Sequence, residues 1–234
     1  MEKEVQIRLD EAHMLEMKMK DKEILNRLRE CIVKLDIEGI EQACQDALAI
    51  DISPVKAITE GMAKGMNIVG EKYEAGEYFL SELIMAGEVM KEGMKILEPH
   101  SKETEIKKLG KVVLVTVKGD LHDIGKNIVG TLLGAAGFEV IDLGVDVPAE
   151  KMLETVRTQK PDILAMSALV TTTMPEMENV IIQLKKAGQR RKVKVIVGGA
   201  PLTEGYAEII GADAYAPDAL AGVNICKKWI SQKK

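Results

Sequence analysis

An aspartate and a histidine two residues apart are the most chemically informative pair in this chain. Asp120 and His122 lie within the stretch GDLHDIGKNIVG, residues 119–130. An apolar run at residues 112–117 predicts a buried strand before this stretch, and a helical pattern follows from residue 125. Open α/β sheets bind ligands beyond the carboxyl ends of their strands, and a carboxylate can orient an imidazole as a metal ligand. The pair therefore predicts either a metal-ligand site or a structural hydrogen bond within a loop.

The remaining histidines and the cysteines indicate no second metal centre. His13 falls in a charged stretch and His100 in a polar segment, so both are expected at the surface. Cys31, Cys44 and Cys226 are odd in number, widely spaced and without a CxxC pair, so neither a disulfide framework nor a zinc cluster is expected. This cysteine usage is typical of a reducing cytoplasm.

Small and hydroxyl-bearing residues follow two further predicted strands. One strand leads into MSALVTTTM, residues 166–174, and another ends in VGGA, residues 197–200. Together with the Asp120 loop, they predict a slot lined by hydroxyls and bare backbone, suited to a long polar ligand tail. Ordinary turn chemistry is the alternative. An acyl-transfer site is not expected, because Ser167 lacks the GxSxG elbow of the hydrolases that use one.

Two hydrophobic repeats predict the elements that must position these residues. Up to about residue 98, apolar residues recur every three or four positions, which predicts a small helical bundle. The predicted helices are 22–35, 38–49, 54–73 and 79–97. Beyond residue 110, strand and helix alternate five times, which predicts a parallel sheet of the flavodoxin type with helices on both faces. The predicted strands are 111–117, 139–143, 162–167, 193–197 and 213–215, and the helices are 125–136, 148–159, 174–187, 202–210 and 218–231.

These patterns predict four segments along the chain. A charged N-terminal extension covers residues 1–21, the helical domain 22–98, a lysine-rich linker 99–110, and the α/β domain 111–234. The extension is expected either to form an amphipathic helix or to fray.

Charge and hydropathy exclude several classes of function. The 234-residue chain has 32 basic and 37 acidic residues and a formal net charge of −5, with no basic patch that stands out, so nucleic acid is not an expected partner. The charged N-terminus predicts no signal peptide, and without a run of about 18 apolar residues no membrane span is expected. We therefore expect a cytoplasmic protein.

Three motifs, taken together, resemble the signature of a known family. Asp120-x-His122-x-x-Gly125, Ser167-x-Leu169 and Gly198–Gly199 follow three strands in this order, as in cobalamin-binding domains that hold their cofactor base-off and His-on. Residues 58–90 resemble the helical cap of methylcobalamin proteins. The resemblance covers about residues 22–234. It extends to the cobalamin module of methionine synthase and, more closely, to the stand-alone corrinoid proteins of methyltransferase systems.

The resemblance implies a role for each matching residue. His122 would be the lower axial ligand of cobalt, and Asp120 and Thr173 would form a relay behind it. Glu60 would face the corrin rim, while Tyr73, where relatives often carry Phe, and Leu80 would cover the methyl-bearing face. The displaced base would enter a slot lined by Ser167, Leu169, Thr171, Gly198 and Gly199, with Ala219 at its far end. The loop residues Gly119, Leu121, Asp123, Ile124 and Gly125 would complete the cofactor-binding set.

The resemblance also implies a function, namely a non-catalytic methyl carrier that holds methylcobalamin or a related corrinoid. It would accept a methyl group on cob(I)alamin from a substrate-specific corrinoid methyltransferase. It would then deliver the group to a second methyltransferase that acts on tetrahydrofolate or coenzyme M, with a reductive activase as a third partner. Two alternatives remain: a cobalamin-dependent sensor or regulator, and the small subunit of an adenosylcobalamin mutase. Methylamines, methanol, glycine betaine and methoxylated aromatics all remain open as methyl donors.

Overall fold

A change of hydrophobic repeat divides the protein into a helical unit and an α/β unit. The computed structural model describes residues 2–101 and 108–233, with side chains from residue 17 onward. The two units are Met1–Lys107 and Lys108–Lys234. The predicted linker, residues 99–110, lies partly outside the described residues.

The helical unit consists of helices joined by short connections, as the three- and four-residue spacing of apolar residues predicts. Its helices are α1 (Glu2–Lys34), α2 (Ile37–Ala49), α3 (Pro54–Lys56), α4 (Ala63–Glu74) and α5 (Leu80–Leu97). Helix α1 begins about twenty residues before its predicted start, because no glycine or proline interrupts the sequence before Gly39. Ser53 accepts a hydrogen bond from the Lys56 backbone N–H at 3.3 Å and caps the start of α3, next to Pro54.

One predicted helix, residues 54–73, contains an irregular turn. Residues Ala57–Met62 form a π-helical turn, called the π turn below, that joins α3 to α4. A Cβ added at Gly61 would lie 3.0 Å from Leu28 Cβ, and one added at Gly65 would lie 2.7 Å from Ile32 Cβ. Both glycines therefore let this segment pack closely on α1.

The α/β unit is a five-stranded parallel sheet in the order β2-β1-β3-β4-β5. Its strands are β1 (Lys111–Thr116), β2 (Glu139–Asp142), β3 (Ile163–Ser167), β4 (Lys194–Gly198) and β5 (Ala214–Ala216), and its helices are α6 (Ile124–Ala135), α7 (Ala149–Gln159), α8 (Met174–Lys186), α9 (Glu204–Ile210) and α10 (Ala219–Ser231). This arrangement confirms the predicted fold, a helical domain followed by a flavodoxin-like, Rossmann-like α/β domain. The apolar run Val112–Val115 is almost completely buried, as expected for a central parallel strand covered on both faces.

The register of the strands aligns their carboxyl ends. Thr116 of β1 pairs with Ser167 of β3, Ser167 with Gly198 of β4, and Gly198 with Ala216 of β5. The loops that leave these strands therefore begin side by side. In the described part of the chain, no helix is both long and apolar enough to cross a membrane.

Asp162 links three segments at the opposite end of the sheet, where the strands begin. Its Oδ2 accepts a hydrogen bond from the Lys111 backbone N–H at 2.8 Å, and its Oδ1 accepts one from Lys233 Nζ at 2.8 Å. Burial favours the neutral acid, but the hydrogen bonds from Lys233 and Lys111 outweigh burial and lower the pKa of this carboxyl. Asp162 therefore stabilises the fold in its ionised form.

We expect Asp162→Asn to lower the free energy of unfolding by about 1 kcal/mol at pH 7. Because the folded-state pKa of Asp162 lies below the unfolded value of about 3.9, its contribution is complete above that pH and is lost as the pH falls through the folded-state pKa. The difference between the two proteins should therefore shrink below about pH 4. Urea unfolding from pH 7 to 3.5 measures it, and a difference that stays constant over this range would contradict the assignment.

Candidate functional site

The carboxyl edge of the sheet brings together the loops that follow β1 and β3. The β1 loop carries Asp120, which is 1% exposed, and His122, whose side chain is 55% exposed. Asp120 thus lies beneath the loop while the imidazole projects from it. The two residues have different physical environments although they are two positions apart.

The Asp120 carboxylate links the two loops. Its Oδ1 accepts a hydrogen bond from the His122 backbone N–H at 3.0 Å and lies 2.7 Å from His122 Nδ1. Its Oδ2 accepts hydrogen bonds from the Leu169 backbone N–H at 2.6 Å and from Thr173 Oγ1 at 3.0 Å. The Thr173 hydroxyl also lies 2.8 Å from the Val170 carbonyl, and its single proton can serve only one of the two acceptors at a time.

These hydrogen bonds determine the ionisation of Asp120. Burial alone would raise the pKa of its carboxyl, but the hydrogen bonds from the His122 and Leu169 backbone, the His122 ring and Thr173 outweigh burial and lower the pKa well below its usual value. Because an ionised carboxylate can only accept, Nδ1 of neutral His122 carries the proton. His122 Nε2 then keeps its lone pair on the exposed side of the ring, as a metal ligand must.

Two residues that sequence reasoning missed hold the β1 loop in place. Thr116 Oγ1 donates to the His122 carbonyl at 2.9 Å, and Asp146 Oδ1 accepts from the Gly119 backbone N–H at 2.7 Å. Gly119 has a φ of +81°, which favours glycine at this turn. Thr116 reads as the end of a buried strand and Asp146 as a turn residue, so neither carried a sequence signal.

Bare backbone characterises the neighbouring strand ends, where the slot was predicted. A Cβ added at Gly198 would lie 3.3 Å from the Ala216 carbonyl oxygen, and one added at Gly199 only 1.9 Å from the Ala168 carbonyl oxygen. A Cβ added at Gly125, beside His122, would meet no atom within 4 Å and would project into open space. The edge therefore combines close backbone packing at Gly198 and Gly199 with open space at Gly125.

Exposed apolar side chains surround the histidine in these two loops. Leu121 and Ile124 of the β1 loop are 72% and 77% exposed, and Leu169 and Val170 of the β3 loop are also exposed. Clustered apolar surface of this kind marks binding sites. The site thus offers one nitrogen ligand within an apolar rim.

The structure places the other predicted site residues as follows. Ser167 is half-buried at the end of β3, Thr171 is exposed in the β3 loop, Asp123 is exposed before α6, and Ala219 begins α10. In the helical unit, Glu60 is exposed within the π turn, Tyr73 is half-buried on α4, and Leu80 begins α5. Phe79, which precedes Leu80 and is 69% exposed, is a further apolar candidate that the sequence did not single out.

Among residues 2–101 and 108–233, no three His, Cys, Asp or Glu side chains gather as a metal-binding group. His122 Nε2 would provide a single ligand.

Comparisons with known families and structures agree with this geometry. Two family models, each described as a B12 binding domain, match residues 110–224 and 24–98. The chain is 43% identical over 210 residues to trimethylamine corrinoid protein 2 of Methanosarcina acetivorans, covering 89% of this chain and 97% of that protein. It is 43% identical over 212 residues to dimethylamine corrinoid protein 1 of Methanosarcina mazei, covering 90% and 98%.

Two solved structures share the fold over most of the chain. A cobalamin-binding protein from Desulfitobacterium hafniense aligns with a TM-score of 0.72 and 38% identity, covering 88% of this chain and 98% of that one. A chain of the methanol:cobalamin methyltransferase complex from Methanosarcina barkeri aligns with a TM-score of 0.82 and 32% identity, covering 89% and 80%.

Proposed function

Since this chain belongs to the corrinoid proteins of methyltransferase systems, we propose that it carries methyl groups between two methyltransferases. The observation that carries this proposal is the half-exposed imidazole of His122, oriented by the buried Asp120 carboxylate at 2.7 Å from Nδ1. Such a pair provides one oriented nitrogen ligand.

The cofactor in this proposal is a corrinoid bound base-off and His-on. When bound, it supplies a cobalt ion that can take up and release a methyl group. His122 would hold the cobalt through Nε2, while Asp120, which accepts a hydrogen bond from Thr173, would orient the ring. Asp120 therefore determines which nitrogen of the imidazole would meet the metal.

The strand ends accommodate the tail of the corrinoid in this proposal. The slot is lined by residues with no side chain or a small one, namely Ser167, Thr171, Gly198, Gly199 and Ala219, and by the larger Leu169. The β1 loop contributes its exposed residues to the corrin face: Gly119, Leu121, Asp123, Ile124 and Gly125. The small side chains and the open space beside Gly125 support this assignment.

In the helical unit, we assign the upper face of the corrinoid to three residues. Glu60 contacts the corrin rim, and Tyr73 and Leu80 shield the methyl group. The match of residues 24–98 to a B12 binding domain supports a cofactor role for this unit. The exposure of Leu80, together with that of Phe79, provides apolar surface for such a role.

The partners in this proposal are enzymes that give and take the methyl group. A substrate-specific methyltransferase supplies it, and similarity to tri- and dimethylamine corrinoid proteins favours methylamines as donors. A second methyltransferase passes the group to tetrahydrofolate or coenzyme M, and a reductive activase restores cobalt that has become oxidised.

Methyl transfer to the purified protein tests the proposed function. The reduced, cobalamin-loaded chain is mixed with methyltransferases specific for trimethylamine, dimethylamine or methanol, each with its own substrate. We expect the absorption spectrum to change to that of a methylated corrinoid with at least one enzyme. No change with any enzyme, or isolation of the native chain with an adenosyl group, would overturn the proposal and favour a sensor or mutase role.

We expect His122→Ala to weaken corrinoid binding at least about tenfold, while the half-exposed side chain leaves the free energy of unfolding within about 0.5 kcal/mol of wild type. With ¹⁵N-labelled protein and an unlabelled corrinoid, the ¹⁵N coupling in the electron paramagnetic resonance spectrum of the Co(II) form should disappear, since no protein nitrogen then lies beneath cobalt. The exposed His100→Ala provides the matched control. Retention of the nitrogen coupling in His122→Ala would refute this ligand assignment.

A further inference from the structure

A basic cleft lies at the end of the sheet opposite to His122, where strands β4 and β5 begin. It has a volume of about 530 Å³ and is lined by six basic side chains and one acidic side chain, Asp213, although the whole chain has a net charge of −5. The basic residues are Lys185, Arg190, Arg191, Lys192, Lys194 and Lys233. They come from the end of α8, the segment before β4, the first residue of β4 and the end of the chain.

Three of the basic residues form ion pairs that stabilise the walls of the cleft. Arg190 Nη1 lies 2.8 Å from Asp213 Oδ2, and Arg190 Nη2 donates to the Gly211 carbonyl at 2.7 Å. Lys194 shares Asp213 at 3.2 Å, and Lys233 pairs with Asp162 at 2.8 Å. These bonds hold the segment before β4 in one conformation.

The remaining charge has no carboxylate partner within the described residues. Lys185, Arg191 and Lys192 are exposed and form no ion pair there. Gathering cations without counter-charges costs electrostatic free energy, which an anionic partner would recover.

The character of the lining favours a protein surface over a small molecule. Pockets for small ligands are mostly apolar with a few polar groups, whereas only Val193 and Gly211 are uncharged in this cleft. Exposed charges of one sign are typical of surfaces that steer the association of proteins.

The position of the cleft suits a carrier. Strand β4 runs from Lys194, in the cleft, to Gly198, at the carboxyl edge, so about 13 Å of strand separates the cleft from that edge. A partner held at the cleft would leave His122 and its loop accessible.

We propose that the basic cleft docks an acidic surface patch of the methyltransferase that supplies the methyl group. This proposal rests on the methyl-carrier function. The cleft increases the rate of encounter and keeps the enzyme attached while the carboxyl edge stays open for the transfer.

The test compares charge-reversed full-length proteins, both loaded with cobalamin. In K185E/R191E/K192E the cleft is reversed, and in the control K151E/R157E/K160E three basic residues on and just after α7 undergo the same change of charge. With the methyltransferase that methylates the wild type, the cleft variant should show a KM raised about tenfold or more at low salt, with kcat unchanged. The difference should fade near 0.5 M salt, where the Debye length is only about 4 Å.

Light scattering or calorimetry measures binding of each methyltransferase used to test the carrier function, whether or not it methylates the chain. Weaker binding by the cleft variant alone supports the docking site, even if no methyl group is transferred and the carrier function fails. Equal KM and equal binding in the two variants overturn it, as does the lack of any binding by wild type. Binding of duplex DNA that the cleft variant loses, with KM unchanged, would assign the cleft to nucleic acid instead.

Discussion

Replacing Asp120 with alanine should lower the free energy of unfolding of the α/β unit by about 3 kcal/mol. The substitution removes the acceptor of the backbone N–H groups of His122, Leu169 and Val170 and of the His122 ring. The Thr173 hydroxyl also loses this acceptor but keeps a second one, the Val170 carbonyl at 2.8 Å. Removing one member of a buried, charged network costs roughly 3–5 kcal/mol, and water entering at the exposed loop should recover part of this cost. Urea unfolding, followed by a spectroscopic signal that comes from the α/β unit, measures this loss of stability.

The same substitution should also change the histidine. Without the Asp120 acceptor at 2.7 Å, the proton of neutral His122 is no longer held on Nδ1. ¹⁵N NMR of the imidazole at pH 8.5 should therefore show the Nδ1–H form in wild type and a shift towards Nε2–H in the variant.

Asp123→Ala serves as the matched control for Asp120→Ala. Asp123 lies in the same loop but is exposed, and its side chain accepts only from Asn127 Nδ2, at 3.1 Å. Its removal should change the free energy of unfolding by about 0.5 kcal/mol or less. If the two variants were equally stable and had the same tautomer, Asp120 would not be the organising residue of the site.

Gly199→Ala should also lower the free energy of unfolding by about 3 kcal/mol, and it should abolish most corrinoid binding. The added Cβ would lie 1.9 Å from the Ala168 carbonyl oxygen, and the φ of +137° at this position strains any residue with a side chain. Relief requires the loops after β3 and β4 to move apart, which would open the proposed slot. Calorimetric unfolding and cobalamin titration report the two effects.

Gly205→Ala serves as the control that separates the effect of the close contact at Gly199 from that of adding a methyl group. A Cβ at Gly205, in α9, would meet no atom within 4 Å. Gly205→Ala should therefore raise stability by up to about 1 kcal/mol through helix propensity. If Gly199→Ala unfolded and bound cobalamin like the wild type, the backbone at this position would be able to shift without affecting the site.

The parts of the fold that follow from local patterns could be predicted from the sequence. Continuous apolar runs identified the parallel strands, and Asp120 and His122 are close in sequence, so their pairing needed only a loop. The donors from the β3 loop could not be predicted in this way, because Leu169 lies 49 residues from Asp120 and its contribution is a backbone N–H that any residue except proline provides.

The basic cleft also could not be predicted from the sequence. No basic patch stood out along the chain, yet Lys185, Arg191 and Lys233 line one cleft because separate segments converge at the amino ends of β4 and β5. Lys126 also departs from expectation for its type, since it is 4% exposed and pairs with Asp142. Burial of a lysine depends on a partner that only the tertiary structure supplies.

The π turn could not be predicted from the sequence, because it is a local irregularity within a segment whose overall pattern is helical. A turn of this kind is a single-residue insertion that the helix absorbs locally. Loss of one residue between Ala57 and Met62 would restore a regular helix while Gly65 of α4 still faced Ile32. Residues within the turn would rotate by about 100° around the axis. Lineages could thus exchange the side chain at position 60 by gaining or losing one codon, with the rest of the helix retaining its packing.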